Sequence, residues 1–227
     1  MSSTLLKMSS ISKKVFMALA GLFLITFLLV HLGINLFILP IAENHIEIFE
    51  EAVHFMTTFP LVKIMEVVLF AAFIIHIILG IIVQIQNWMA RPNRYQVAQK
   101  SKVISPFSRF MIHTGVVMGI FIGIHLANFY FVKLGWTQAM EGAFMVEGNH
   151  DFYHMALNLF GTPAYSIFYL VMLLMLGMHL HHAFQSAFQT LGLSHPTYTP
   201  IIKAIGLVYT ILVTAGFISI PLYFLLS

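Results

Sequence analysis

Five stretches of this chain carry no acidic or basic residue, and that pattern limits the fold more than any motif does. They are Val15–Ala42, Val67–Ala90, Phe110–Val132, Phe152–Ile202 and Ala204–Ser227. The fourth is interrupted at Gly161-Thr162-Pro163 and again from Gly192 to Pro196, which leaves one continuous segment from about 163 to 190. Each of the five then holds the roughly 20 apolar residues that a helix needs to cross a bilayer core. Only 8% of the residues are charged, and 59% are hydrophobic. A soluble domain carries about a quarter charged residues. The expectation is an all-α integral membrane protein, a single domain over 1–227 with spans near 15–39, 63–88, 109–132, 163–190 and 201–226. The first run is longer than a secretory signal core and lacks its small-residue cleavage site, so it reads as an uncleaved span.

The placement of cations orients the spans. Threading five helices alternately puts Lys7, Lys13, Lys14, Arg91, Arg94, Lys100, Lys102, Arg109 and Lys203 on one side, and only Lys63 and Lys133 on the other. All the acidic residues, Glu43, Glu47, Glu50, Glu51, Glu66, Glu141, Glu147 and Asp151, fall on or at the edge of that second side. The sorting predicts a cytoplasmic N-terminus and an outer C-terminus. Ile46, Phe49 and Val53 recur at helical spacing in the outer segment 43–57, which predicts a short surface helix. Gly115, Gly119 and Gly123 share one face of the third span and predict close helix contact there.

Cysteine is absent, so thiolate sites are excluded and histidine is the plentiful metal ligand, at 12 residues. An ionisable residue inside a span is a functional candidate by default. His31 lies ~24 Å along its helix from the inner side, and His125 also sits in the outer half. His76 lies ~22 Å down from Leu61, and His179 ~24 Å below Pro163. His31 therefore matches His125 in depth, and His76 matches His179. Two pairs at two levels, drawn from four helices, describe two cofactor sites stacked in one bundle. Haem with two histidine ligands fits such pairs: both axial positions are closed, so the site moves electrons and does not bind oxygen. Gly80 follows His76 by one turn and Ala183 follows His179, leaving room for a porphyrin; Asn35 and Phe129 occupy those positions in the outer pair. His113 sits near the inner end of its helix, where a solvated or propionate-facing role is expected. His45, His54, His150, His154 and His195 fall in loops or at edges.

Four segments together carry a family resemblance: SSISKKVFMALAGLFLITFLLVHLGINLF, HIILG, TGVVMGIFIGIH and HLHHAFQSAFQTLG. The chain resembles, over nearly its whole length, the dihaem cytochrome b membrane-anchor subunit of succinate dehydrogenases and fumarate reductases. The resemblance implies a five-helix bundle around two stacked haems b, with His31 and His125 on the outer haem and His76 and His179 on the inner one. His182 shares a face with His179 and is the rival fourth ligand. It implies a flavoprotein (FAD) subunit and an iron–sulfur subunit docked on the basic face, in a bacterial cytoplasmic membrane, with Lys100, Lys102 and Arg109 near haem propionates. Nucleic acid is not an expected partner. The chain itself would perform no succinate chemistry; it would hold haems and a quinone, menaquinone by this reading.

Quinone reduction takes up protons, so an ionisable group near a haem edge is required. Glu50, Glu51, His54 and Glu66 are the outer-side candidates, with Glu66 the most buried by context. Some dihaem fumarate reductases carry a proton-conducting glutamate two residues before the fourth-helix ligand; here that position is Gly177. Two other readings stay open. One is the dihaem cytochrome b anchor of a hydrogenase or formate dehydrogenase, against which the QTLG segment and the spread of four histidines over four helices weigh. The other is a histidine-lined transporter of a divalent metal, which would be expected to show intramembrane carboxylates and broken helices.

Overall fold

The computed structural model describes residues 8–90, 110–137, 145–146 and 149–227. Its architecture is helical: α1 Ser10–Asn35, α2 His45–Thr58, α3 Pro60–Met89, α4 Met111–Asn128, the single turn α5 Tyr130–Lys133, α6 Phe152–Phe160, α7 Pro163–Thr190 and α8 Tyr198–Leu226. A two-residue hairpin pairs β1 (Met145–Val146) with β2 (Asn149–His150). Five helical segments are long and apolar enough to cross a membrane: Ser10–Ile38, Pro60–Met89, Met111–Lys133, Pro163–Thr190 and Tyr198–Leu226. Three spans begin a few residues earlier than the charge pattern suggests, because local signals set helix ends. The Ser9 hydroxyl accepts the Ser12 N–H at 3.0 Å and starts α1 ahead of Lys13 and Lys14. Pro60 and Pro163 open α3 and α7, where the missing N–H costs nothing. Gly192, at φ +81°, turns the chain out of α7.

The long helices alternate in direction, and the short elements gather at one end. There His45 Nδ1 meets the Phe37 carbonyl at 2.9 Å, Phe49 meets Tyr153 at 6.1 Å between rings, and Phe160 stacks on Phe224 at 6.3 Å. This end carries the described acidic residues and is called the acidic end below; the end with Lys13, Lys14 and Lys203 is the basic end. The expected surface helix is present as α2, with Phe49 buried while Ile46 stays 39% exposed.

Four helices form a ring in the order α1, α3, α4, α7. Neighbours in the ring pack together, the α3–α4 seam least; the diagonals, α1 with α4 and α3 with α7, do not pack closely. The fifth, α8, lies outside the ring against α7 and α1. Small residues let it approach, which is how helices gain contact in lipid, where apolar burial between helices supplies no drive. A Cβ at Gly177 would stand 2.7 Å from Thr214 Oγ1, one at Gly206 2.6 Å from Phe184 Cδ1, and one at Gly216 2.8 Å from Leu32 Cδ2. The glycine stripe of α4 behaves differently from its expectation. A Cβ at Gly115 would approach His179 Cε1 at 3.5 Å, but at Gly119 and Gly123 it would meet nothing within 4 Å. Those two glycines leave space beside α4 instead of closing a helix contact.

Candidate functional site

The histidines lie on the two unpacked diagonals. His31 on α1 and His125 on α4 face each other near the acidic end, with ring centroids 5.8 Å apart and planes at 85°. Aromatic rings enclose them: Phe27 at 5.3 Å and Phe217 at 5.8 Å from His31, Phe129 at 5.2 Å and Phe121 at 6.1 Å from His125. An ion held by two imidazole nitrogens at about 2 Å each would place the ring centres about 6 Å apart. The observed spacing is close to that.

His76 on α3 and His179 on α7 occupy the other diagonal, near the basic end, within electrostatic reach of one another. Each is tied to a neighbouring ring helix. His76 Nδ1 lies 3.2 Å from the Met17 carbonyl on α1. A carbonyl only accepts, so the His76 proton sits on Nδ1. His179 Nδ1 lies 3.1 Å from Thr114 Oγ1 on α4, and that hydroxyl donates its one proton to the Met111 carbonyl at 3.0 Å. With that proton on Met111, Thr114 accepts from His179 Nδ1–H, and both contacts of the hydroxyl are satisfied in this tautomer. Both rings keep the Nε2 lone pair for a ligand, the tautomer that a metal-binding histidine takes when its other nitrogen donates outward. Met17 precedes His31 by 14 positions and Thr114 precedes His125 by 11, which separates the two levels by ~16–21 Å along the helices.

The acidic-end pair is held differently. Asn35 Nδ2 donates to the His31 carbonyl at 2.7 Å and stands 3.3 Å from its Nδ1. Tyr169, 3% exposed, has its hydroxyl 3.5 Å from His125 Nδ1 and accepts from Asn128 Nδ2 at 3.1 Å. These are long contacts and fix neither tautomer.

The residues fit a haem in the chemistry of their donor set: imidazoles from facing helices, with the basic-end pair bonded outward through Nδ1. Among the described residues no three histidines or carboxylates converge on one point. His182 lies 5.5 Å from His181 between rings, and the bond to Thr114 belongs to His179. His113 is exposed, with its ring 6.0 Å from Phe110. Arg109, Lys100 and Lys102 lie outside the described residues. Lys13, which entered the sequence argument only as a topology charge, is 2% exposed and sits one turn toward the basic end from Met17.

Of the quinone candidates, Glu50, Glu51 and His54 are exposed on α2 and are not brought together with the histidines. Glu66 is part of a cluster. The Tyr130 hydroxyl donates to Glu66 Oε1, Lys133 Nζ stands 3.7 Å from Oε2, and the same ammonium lies 5.5 Å from the Tyr130 ring centre. Tyr130 follows His125 by five positions, which puts the cluster ~7–8 Å beyond the acidic-end pair along the axis. Tyr130 and Lys133 were missed because their link to Glu66 crosses between helices; a cation and a phenol one turn apart, opposite a lone carboxylate in depth, was the available signal. Comparison with protein-family models, curated proteins and solved structures returned no match.

Proposed function

We propose that this chain is the membrane-anchor cytochrome b subunit of a bacterial succinate:quinone oxidoreductase. His31 with His125, and His76 with His179, would each hold one haem b. The observation that carries the reading is the meeting of His31 and His125 across one unpacked diagonal, with ring centres 5.8 Å apart, and the placement of His76 and His179 on the two helices of the other. Held by these histidines, the group would supply reversible one-electron exchange. The rest is done by the chain. Met17 and Thr114 orient the basic-end ligands, and the aromatic residues around His31 and His125 exclude water. Lys13 and His113 lie at the basic end, where they would meet the carboxylates of the group.

By this reading the basic end faces the cytoplasm and receives the iron–sulfur and FAD subunits. Quinone, menaquinone in our proposal, meets the chain near Glu66 and Tyr130, where a carboxylate and a phenol can hold the proton that quinone chemistry exchanges. A transporter of bare ions is less well supported, since such an ion takes three or more protein ligands and the histidines here meet in twos. The hydrogenase or formate dehydrogenase anchor shares the haem chemistry and differs in its partners. A reduced-minus-oxidised spectrum of the purified chain tests the proposal: paired b-type bands support it, and a featureless spectrum after haem supplementation overturns it.

A further inference from the structure

We infer that Thr114 is a positioning residue for the basic-end site: its hydroxyl fixes the tautomer and ring orientation of His179. The inference rests on the proposed haem reading for its consequence, but its geometry stands apart from it. The Thr114 hydroxyl has a single proton, and the Met111 carbonyl takes it at 3.0 Å. The oxygen lone pair is then turned to His179 Nδ1 at 3.1 Å. With its proton on the Met111 carbonyl the hydroxyl accepts from Nδ1–H, whereas the tautomer protonated on Nε2 keeps the contact only if the hydroxyl turns to donate to Nδ1 and gives up the Met111 bond. At the neighbouring Gly115 a Cβ would be in ordinary contact with His179 Cε1 at 3.5 Å, so α4 runs directly against this ring.

The chain thus makes α4 serve both levels, with His125 at one and Thr114 at the other. His76 needs no such side chain because a backbone carbonyl does the same work. A partner that accepts from the outward nitrogen of a ligating histidine makes the ligand more basic and holds its angle, and its loss weakens metal affinity by about 10–100-fold. A more basic imidazole favours the ferric state, so removing the acceptor moves the potential of that centre upward.

Thr114→Val keeps the shape and removes the hydroxyl; Thr114→Ser keeps the hydroxyl. In the full-length chain reconstituted with haem, Thr114→Val is expected to lower affinity at the basic-end site by about 10–100-fold. The potential of the remaining basic-end haem should rise, the acidic-end haem should not move, and Thr114→Ser should restore both properties. In the haem-free chain, 15N spectra of labelled histidine should show His179 protonated on Nδ1 in the wild type and as a mixture in Thr114→Val. Unchanged potentials and tautomer in Thr114→Val, or a Thr114→Ser that behaves like the valine, would overturn the inference. A wild type that takes up no haem overturns the proposed function instead, and the nitrogen spectra still decide the role of Thr114.

Discussion

Thr114 and His179 are joined by a hydrogen bond of 3.1 Å, and the Met111 carbonyl, 3.0 Å from the same hydroxyl, offers its one proton a second acceptor. The Nδ1–H tautomer is imposed on His76 by Met17. The two basic-end histidines are each bonded through Nδ1 to a neighbouring ring helix. The acidic-end pair has only long contacts of 3.3 and 3.5 Å at the corresponding nitrogens. The histidines of one level are held by hydrogen bonds and those of the other by aromatic packing.

This asymmetry separates the expected effects of removing each histidine. In the proposed dihaem chain, His76→Ala or His179→Ala should abolish the basic-end haem and spare the other, whereas His31→Ala or His125→Ala should do the reverse. His182→Ala should retain both. Haem-to-protein ratios and redox titrations of the purified variants decide it. Loss of a haem in His182→Ala with both retained in His179→Ala would reassign the fourth ligand.

A second expectation concerns helix packing. Gly177 has no room for a methyl group, because its Cβ would sit 2.7 Å from Thr214 Oγ1 and 3.0 Å from Thr214 Cγ2. Overpacking of this kind typically costs about 1–3 kcal/mol. Gly177→Ala should lower the thermal midpoint in detergent, and adding Thr214→Ala should recover most of the loss. Additive destabilisation in the double variant would show that the two helices do not meet there.

The Glu66, Tyr130 and Lys133 cluster leads to a third. If it handles the quinone proton, Glu66→Gln should slow quinol-driven haem reduction by about 10²–10⁴-fold, the usual contribution of a general acid or base. Tyr130→Phe should show a partial effect, and both variants should keep normal haem spectra. Wild-type rates in Glu66→Gln would move the quinone site elsewhere.

Much of this arrangement is legible in the sequence, for reasons that particular residues make plain. The spans are visible because a bilayer demands long charge-free runs, and Pro60, Pro163 and Gly192 mark helix ends with side chains or φ angles that leave little choice. The pairing of His31 with His125 follows from depth alone, since a rise of 1.5 Å per residue is nearly constant. What depth cannot supply is azimuth. The sequence does not say which way Thr114 or Tyr130 turns, so their bonds to His179 and Glu66 were invisible. The stripe of Gly115, Gly119 and Gly123 was misjudged for the same cause: small residues permit close contact, but only the neighbouring helices decide whether contact or space results.

Topology yields a fourth expectation. The charge sorting predicts the 91–109 segment in the cytoplasm and the 133–160 segment outside. Single cysteines at Gln99 and Gly148 can be read against a background with no cysteine. In intact cells an impermeant thiol reagent should label only the cysteine at Gly148. Labelling confined to position 99 would invert the orientation and exchange the two haem levels.

The last expectation joins topology to energetics. In the proposed complex, electrons enter at the basic, cytoplasmic end and leave near Glu66 at the acidic end. They pass two levels separated by ~16–21 Å along the helices. Moving one charge through 100 mV is worth about 2.3 kcal/mol, so an outward transfer of this kind is sensitive to the membrane potential. A compensating proton carried beside the electrons needs an ionisable group in the bundle. At the position before His179 where some fumarate reductases place a glutamate, this chain has Gly177, packed against Thr214. The outer side of the bacterial membrane is positive, so the field draws electrons outward and assists reduction of a low-potential quinone there. Succinate oxidation in intact cells should slow when an uncoupler collapses the potential, while the detergent-solubilised complex with an artificial acceptor should not respond. Equal rates with and without the potential, or a quinone bound beside His76 and His179, would rule out this coupling.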